Sequence, residues 1–201
     1  MALTESTMLP LGSMAPDFSL KDTGGEIVSK SDFADCPLLV MFICNHCPYV
    51  KHVAPQLSQL GKDFADSPLA MVAIQSNDVE QCPDDSLEKM EQESIIREYT
   101  FPYLLDETQA VAKAYAAACT PDFYLFNRGH QLVYRGRIDA SMPTRISSGV
   151  YDSTENPATG DEVRAAIKLL LSGGVPSEDG QLPASGCNIK WKPGNEPAYF
   201  G

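Results

Sequence analysis

Leu38-Leu39-Val40-Met41-Phe42-Ile43-Cys44-Asn45-His46-Cys47-Pro48 is the stretch that decides the fold. Its first six residues are continuously apolar, the pattern of a strand buried on both faces. Two cysteines spaced C-x-x-C follow at once. Pro48 suits the first turn of a helix, where its missing N–H costs nothing. Val50, Val53, Leu57, Leu60 and Phe64 then recur at helical spacing, with Pro55 expected to kink that helix. The cysteine pair therefore lies between a buried strand and a helix N-terminus. Free backbone N–H groups and the positive end of the helix dipole favour thiolate over thiol there. One turn separates the two sulfurs, so they can close a disulfide and reopen. His46 is expected to add partial positive charge, which stabilises the reduced form and makes the disulfide a better oxidant.

Working outward, Phe18 and Leu20 alternate with polar residues, as do Ile27 and Val28, around Asp22-Thr23-Gly24-Gly25, which predicts a hairpin. Leu69 to Ile74 reads as a second buried strand, and Ser76 to Ser86 as a polar loop. Leu87, Met90, Ile95, Ile96 and Tyr99 predict a helix capped by Ser86, followed by a short strand over 101–105. Asp106 and Gln109 resemble a helix start before Ala110 to Ala118. Residues 123–126 and 132–134 flank the turn Asn127-Arg128-Gly129-His130 and predict an antiparallel hairpin. Thr159 and Glu162 form a capping-box pattern ahead of a last helix, which Gly173 and Gly174 end. The expected fold class is α/β: a three-layer α/β/α sandwich with a mixed sheet and an N-terminal hairpin extension. Residues 1–201 read as one domain, and 173–201 as an irregular Gly/Pro-rich tail packed on it.

Composition narrows the function. The chain has 201 residues, 43% hydrophobic and 21% charged, which fits a globular protein and excludes collagen, coiled coil and wholesale disorder. Fifteen basic against twenty-seven acidic residues give a net charge of −12. Such a body repels phosphate backbones and anionic membranes, so neither nucleic acid nor membrane is an expected partner. The N-terminus shows no secretory signal, and the longest apolar run, Leu38 to Cys44, is far below the ~20 residues of a membrane helix. The expected setting is the reducing cytoplasm, where a paired cysteine motif reads as redox or metal chemistry rather than a staple.

Cys44-Asn45-His46-Cys47-Pro48 after a buried strand, with Thr120-Pro121 before the strand Phe123-Tyr124-Leu125-Phe126, resembles the thioredoxin superfamily. Ala15-Pro16-Asp17-Phe18-Ser19-Leu20 with Gly24-Gly25-Glu26 is similar to the start of its redoxin branch. That branch includes the AhpC/TSA peroxiredoxins and the TlpA/ResA-like thiol-disulfide oxidoreductases. Tyr134 to Asp139 and the ending Gly186-Cys187-Asn188-Ile189-Lys190-Trp191 resemble a peroxiredoxin-like subgroup. The resemblance implies that Cys44 is the attacking thiolate and Cys47 the resolving thiol, with Asn45, His46 and Pro48 in support. It also implies a cis Pro121 facing the motif, with backbone near Thr120 open to an extended substrate. The activity implied is thiol-disulfide exchange with protein or small-molecule disulfides and dithiols, served by a cellular thiol reductant and needing no cofactor.

Two rival readings stand beside it. Peroxide reduction by the same pair agrees with the redoxin-like opening. Peroxiredoxins, however, carry P-x-x-x-T-x-x-C before the attacking cysteine. With Cys47 in that place, Val40 and Cys44 stand where proline and threonine belong. A metal-loaded binding module is the other rival, but zinc needs four ligands and only His46 and His52 lie near, so no metal is expected. The W-C-x-x-C pattern also fails in part, because Ile43 replaces the tryptophan. The strand before the motif offers no buried carboxylate, for which Asp78 and Glu80 are the substitutes. Cys119 reads as a small core residue or a third thiol near the pair; Cys187 reads equally as an extra resolving thiol or an idle anchor. Cys36 reads as structural and Cys82 as incidental. Solvated positions are expected for His52, His130, Arg135, Arg137 and the acidic run Asp84, Asp85, Glu88, Glu91, Glu93.

Overall fold

The computed structural model describes residues 3–200. In chain order the elements are β1 (Leu3–Glu5), β2 (Ser19–Asp22), β3 (Ile27–Ser29), β4 (Leu38–Phe42), α1 (Pro48–Asp63), β5 (Ala70–Gln75), α2 (Leu87–Arg97), β6 (Tyr103–Leu105), α3 (Ala110–Ala114), β7 (Cys119–Thr120), β8 (Asp122–Phe126), β9 (Leu132–Gly136), β10 (Thr144–Ser147), β11 (Val150–Asp152), α4 (Asp161–Leu171) and β12 (Ser185–Asn188). The main sheet runs β3-β2-β6-β5-β4-β8-β9. Its centre, β4 with β5 and β5 with β6, is parallel, and the flanks are antiparallel. The predicted mixed sheet and edge hairpin are thus present.

β4 is apolar throughout because both sides of it are covered. Leu39 and Met41 face Val50, Val53, Leu57 and Leu60 of α1, Met90 of α2 and Val163 of α4. Leu38, Val40 and Phe42 face Val111 and Ala112 of α3 and Ile189 and Trp191 of the tail. Leu57 and Leu60 are fully buried, and each such side chain contributes about 1.5–3 kcal/mol. Helix α1 continues through Pro55. Among the described residues no helix is long and apolar enough to cross a membrane.

Several local expectations are corrected. The tail is irregular except for β12, which pairs with β1 on one side and β7 on the other. A further hairpin, β10–β11, projects ahead of α4. Helix α3 stops at Ala114, and its N-cap is Gln109 rather than Asp106. The Gln109 side chain is buried and holds the tail instead: its Nε2 donates to the Lys190 carbonyl and its Oε1 accepts from the Lys192 N–H. The Thr159–Glu162 box is not formed. Asp139 accepts the N–H groups of Thr159 and Gly160, and Glu162 pairs with Arg137. Ile95 and Ile96 of α2 face solvent, and only Met90 is fully buried. Arg135 is buried and bonded to Gln181 and Glu178. His52 is buried too, with Nε2 2.8 Å from Ser141 Oγ; burial depresses its pKa.

Candidate active site

Cys44 follows the end of β4, and Cys47 is the N-cap of α1, with Pro48 as its first residue. Both thiols are essentially inaccessible, at 1% and 0% exposure. No disulfide joins any two of the cysteines among the described residues. Opposite the pair lies the peptide bond Thr120–Pro121, which is cis. Thr120 serves both sulfurs: its Oγ1 is 3.4 Å from Cys44 Sγ, and its carbonyl oxygen is 3.3 Å from Cys47 Sγ. The cysteine motif and the Thr120-Pro121 dipeptide, far apart in sequence, thus meet in one site.

The backbone at Thr120 is not open. Strand β12 lies along β7 with Cys187 directly opposite Thr120, so the tail takes the pairing position expected for an extended substrate. Cys187 is 2% exposed and its thiol is hydrogen-bonded to Cys47. Cys119 is also fully buried, its thiol aimed at the carbonyls of Pro121 and Ala184, and burial pushes its pKa well up.

Cys47 is the thiol of the cluster whose ionised form is most favoured. Burial alone would raise its pKa. That effect is outweighed by hydrogen bonds from the thiols of Cys187 and Cys44 and from the backbone N–H groups of Val50 and Cys187, so the Cys47 pKa falls far below its usual value. Cys44 goes the other way: burial, its hydrogen bond to Cys47 and the negative field of Asp85 hold it well above the usual thiol range. A proton on Cys44 is therefore shared toward Cys47.

Asp85 is the residue the sequence reading placed in solvent. It is fully buried, and its Oδ1 accepts from the backbone N–H groups of Asn45, at 2.8 Å, and His46, at 3.2 Å. Its Oδ2 lies 2.6 Å from His46 Nδ1 and 2.8 Å from Asn77 Nδ2. His46 is thus turned to a carboxylate, not to a sulfur. Asn45 Nδ2 donates to the Asp84 carbonyl, and its Oδ1 accepts from Tyr103 Oη. Asn77 completes the link, because its Oδ1 accepts the Lys190 N–H of the tail. The loop after β5 therefore fixes both the cysteine motif and the strand that carries Cys187. Nothing in an acidic run separates Asp85 from its neighbours; the usable signal was the polar Gln75-Ser76-Asn77 at the end of a buried strand.

Cys44, His46 and Asp85 offer three ligand atoms within 4.8 Å of one another, which is the arrangement that could hold a metal ion. A narrow cleft of about 80 Å³ lies beside Pro121, between His52, Met142 and Ser185. Cys36 and Cys82 are half-buried; the Cys82 carbonyl accepts the Asp85 N–H at 2.9 Å.

The chain is similar to known proteins in sequence and fold. The model of the AhpC/TSA family matches residues 11–135. An uncharacterised conserved protein of Geobacillus kaustophilus, known by crystal structure, is 48% identical, with 96% of this chain and 98% of that one covered and a TM-score of 0.87. Thioredoxin-like protein YneN of Bacillus subtilis (strain 168) is 29% identical over 116 residues, which cover 58% of this chain and 65% of YneN, just short of two thirds. Thiol-disulfide oxidoreductase ResA of Geobacillus kaustophilus (strain HTA426) is 25% identical over 129 residues, covering 64% of this chain and 70% of ResA.

Proposed function

The chain belongs to the AhpC/TSA family and has a thioredoxin-like fold; from that premise we propose that it is a thiol-disulfide oxidoreductase cycling a Cys44–Cys47 disulfide. The observation that carries this is the hydrogen-bonded pair of sulfurs at the start of α1, facing Thr120 and cis Pro121. The named activity of the ResA relative supports the same reading.

In the reducing direction Cys44 attacks one sulfur of a substrate disulfide and gives its proton to the substrate sulfur that leaves. The substrate S–S bond breaks, and its electron pair leaves on the second substrate sulfur. Cys47 then attacks Cys44 Sγ in the mixed disulfide. The Cys44–Cys47 bond forms as the Cys47 thiolate attacks, and the remaining substrate sulfur leaves with the electron pair as a thiolate. Thr120 Oγ1 steadies Cys44 as its charge develops. The reverse sequence oxidises a dithiol. A thiol reductant of the reducing cytoplasm restores the pair in this scheme.

Titration in glutathione buffers of increasing disulfide content tests the proposal. The wild-type Cys44–Cys47 bond is expected to close and reopen, and Cys44→Ser to lose it. A pair that stays reduced across the whole range overturns the reading.

A further inference from the structure

We propose that Cys187 is a third redox-active thiol of this centre, which takes Cys47 over from Cys44 by closing a Cys47–Cys187 disulfide. The proposal rests on the reading that Cys44 and Cys47 form a redox pair.

A cysteine buried only for packing needs apolar neighbours and nothing else. Cys187 is held differently. Its register opposite Thr120 brings it to the residue whose carbonyl lies 3.3 Å from Cys47 Sγ, and its thiol donates to that sulfur. The strand carrying it is fixed on both sides of the cysteine. Gly186 lies against the Thr120 carbonyl, closer than any side chain allows. Beyond Cys187, Ile189 N–H donates to the Ala118 carbonyl at 2.9 Å, and Asp78 N–H to the Lys190 carbonyl at 2.8 Å. A short strand anchored this heavily presents one chemically active group, and that group touches Cys47. Cys47 is thus the sulfur common to two bonds, with Cys44 on one side and Cys187 on the other.

The step is an internal exchange. Cys187 Sγ attacks Cys47 Sγ of the Cys44–Cys47 disulfide. The Cys47–Cys187 bond forms, the Cys44–Cys47 bond breaks, and the electron pair goes to Cys44 Sγ. The proton that Cys187 loses passes to Cys44. Nothing is oxidised or reduced overall. The protein keeps its disulfide, moved to the tail side, and Cys44 returns to the thiol state beside Thr120 Oγ1.

Trypsin separates the two bonds. Cleavage at Lys30, Lys51, Lys168 and Lys190 puts Cys44 and Cys47 on one peptide, 31–51, and Cys187 on another, 169–190. Full-length protein carrying Cys36→Ser, which removes the other thiol of the first peptide, is equilibrated in glutathione buffers, quenched with acid, alkylated, digested and read by mass spectrometry. With Cys44 present, the loop within 31–51 is expected to dominate, with a minor cross-link from 31–51 to 169–190. With Cys44→Ser added, the cross-link is expected to become the main oxidised species. Its absence from the folded Cys44→Ser protein, in buffers that close Cys44–Cys47, overturns the proposal. If Cys44→Ser fails to fold, the protein that keeps Cys44 decides: no cross-link at any time or buffer ratio overturns the proposal equally. Loss of the loop within 31–51 is a separate signal, and it overturns the Cys44–Cys47 reading instead.

Discussion

Gly186 of β12 lies so close to the carbonyl oxygen of Thr120 that a β-carbon on it would overlap that oxygen. The obstacle is backbone, not the end of a flexible side chain, so neither partner can yield cheaply. Gly186→Ala is therefore expected to push β12 off β7. Overpacking of this kind costs about 1–3 kcal/mol, read as a lower urea midpoint. Alkylation of Cys187 in the native protein is expected to accelerate at the same time. An unchanged midpoint together with unchanged alkylation would show that the tail strand is not held by this approach.

The parts of the fold that the sequence made legible are those where one local signal decides. β4 was plain because both faces of it are covered, so every residue of Leu38–Phe42 had to be apolar. The cysteine pair was plain because spacing and Pro48 coincide. β12 was hidden because Ser185-Gly186-Cys187-Asn188 has no strand propensity; it is a strand because β1 and β7 offer it partners on both sides. Asp85 was hidden for the opposite reason, since its neighbours in the same acidic run are exposed and only tertiary packing buries this one. His46 was legible as part of the motif but not in its direction, because its partner lies thirty-nine residues away in the chain.

Asp85 is expected to act on Cys44 through its charge. Its field is one of the causes that hold the Cys44 thiol up, after burial and the hydrogen bond to Cys47. Asp85→Asn removes the charge and keeps one acceptor oxygen, so the Cys44 pKa should fall. The pH dependence of the Cys44 alkylation rate, followed by peptide mapping, reads this directly. The same variant leaves buried donors of the motif loop poorly paired, at about 1–3 kcal/mol for each donor lost. A Cys44 titration that stays in place or moves up would refute the electrostatic role.

Hydrogen peroxide is expected to be a poor oxidant of this site. Val40 and Cys44 stand where the peroxide-reducing pattern has proline and threonine. Stopped-flow oxidation of the reduced protein should be no faster than that of free cysteine. A rate orders of magnitude above free cysteine would instead make peroxide the substrate of the pair.

Asp122 follows cis Pro121 and gives stability a pH dependence of its own. It is completely buried, and burial raises its pKa from 3.8 to about 7, despite hydrogen bonds from Tyr124, Ser6 and the Phe123 N–H that favour the ionised form. The folded state therefore binds a proton that the unfolded chain has already lost between these values. Stability from this group is fully present below about pH 4 and is lost as pH rises toward 7. Three pKa units correspond to about 4 kcal/mol. Asp122→Asn cannot ionise, so the stability difference between wild type and variant should shift by about that amount across the window, to the disadvantage of the wild type at the upper end. Urea unfolding of both proteins at intervals from pH 4 to pH 8 measures it. Parallel stability curves for the two proteins would show that Asp122 is ionised in the folded protein throughout, and that Ser6 and Tyr124 outweigh its burial.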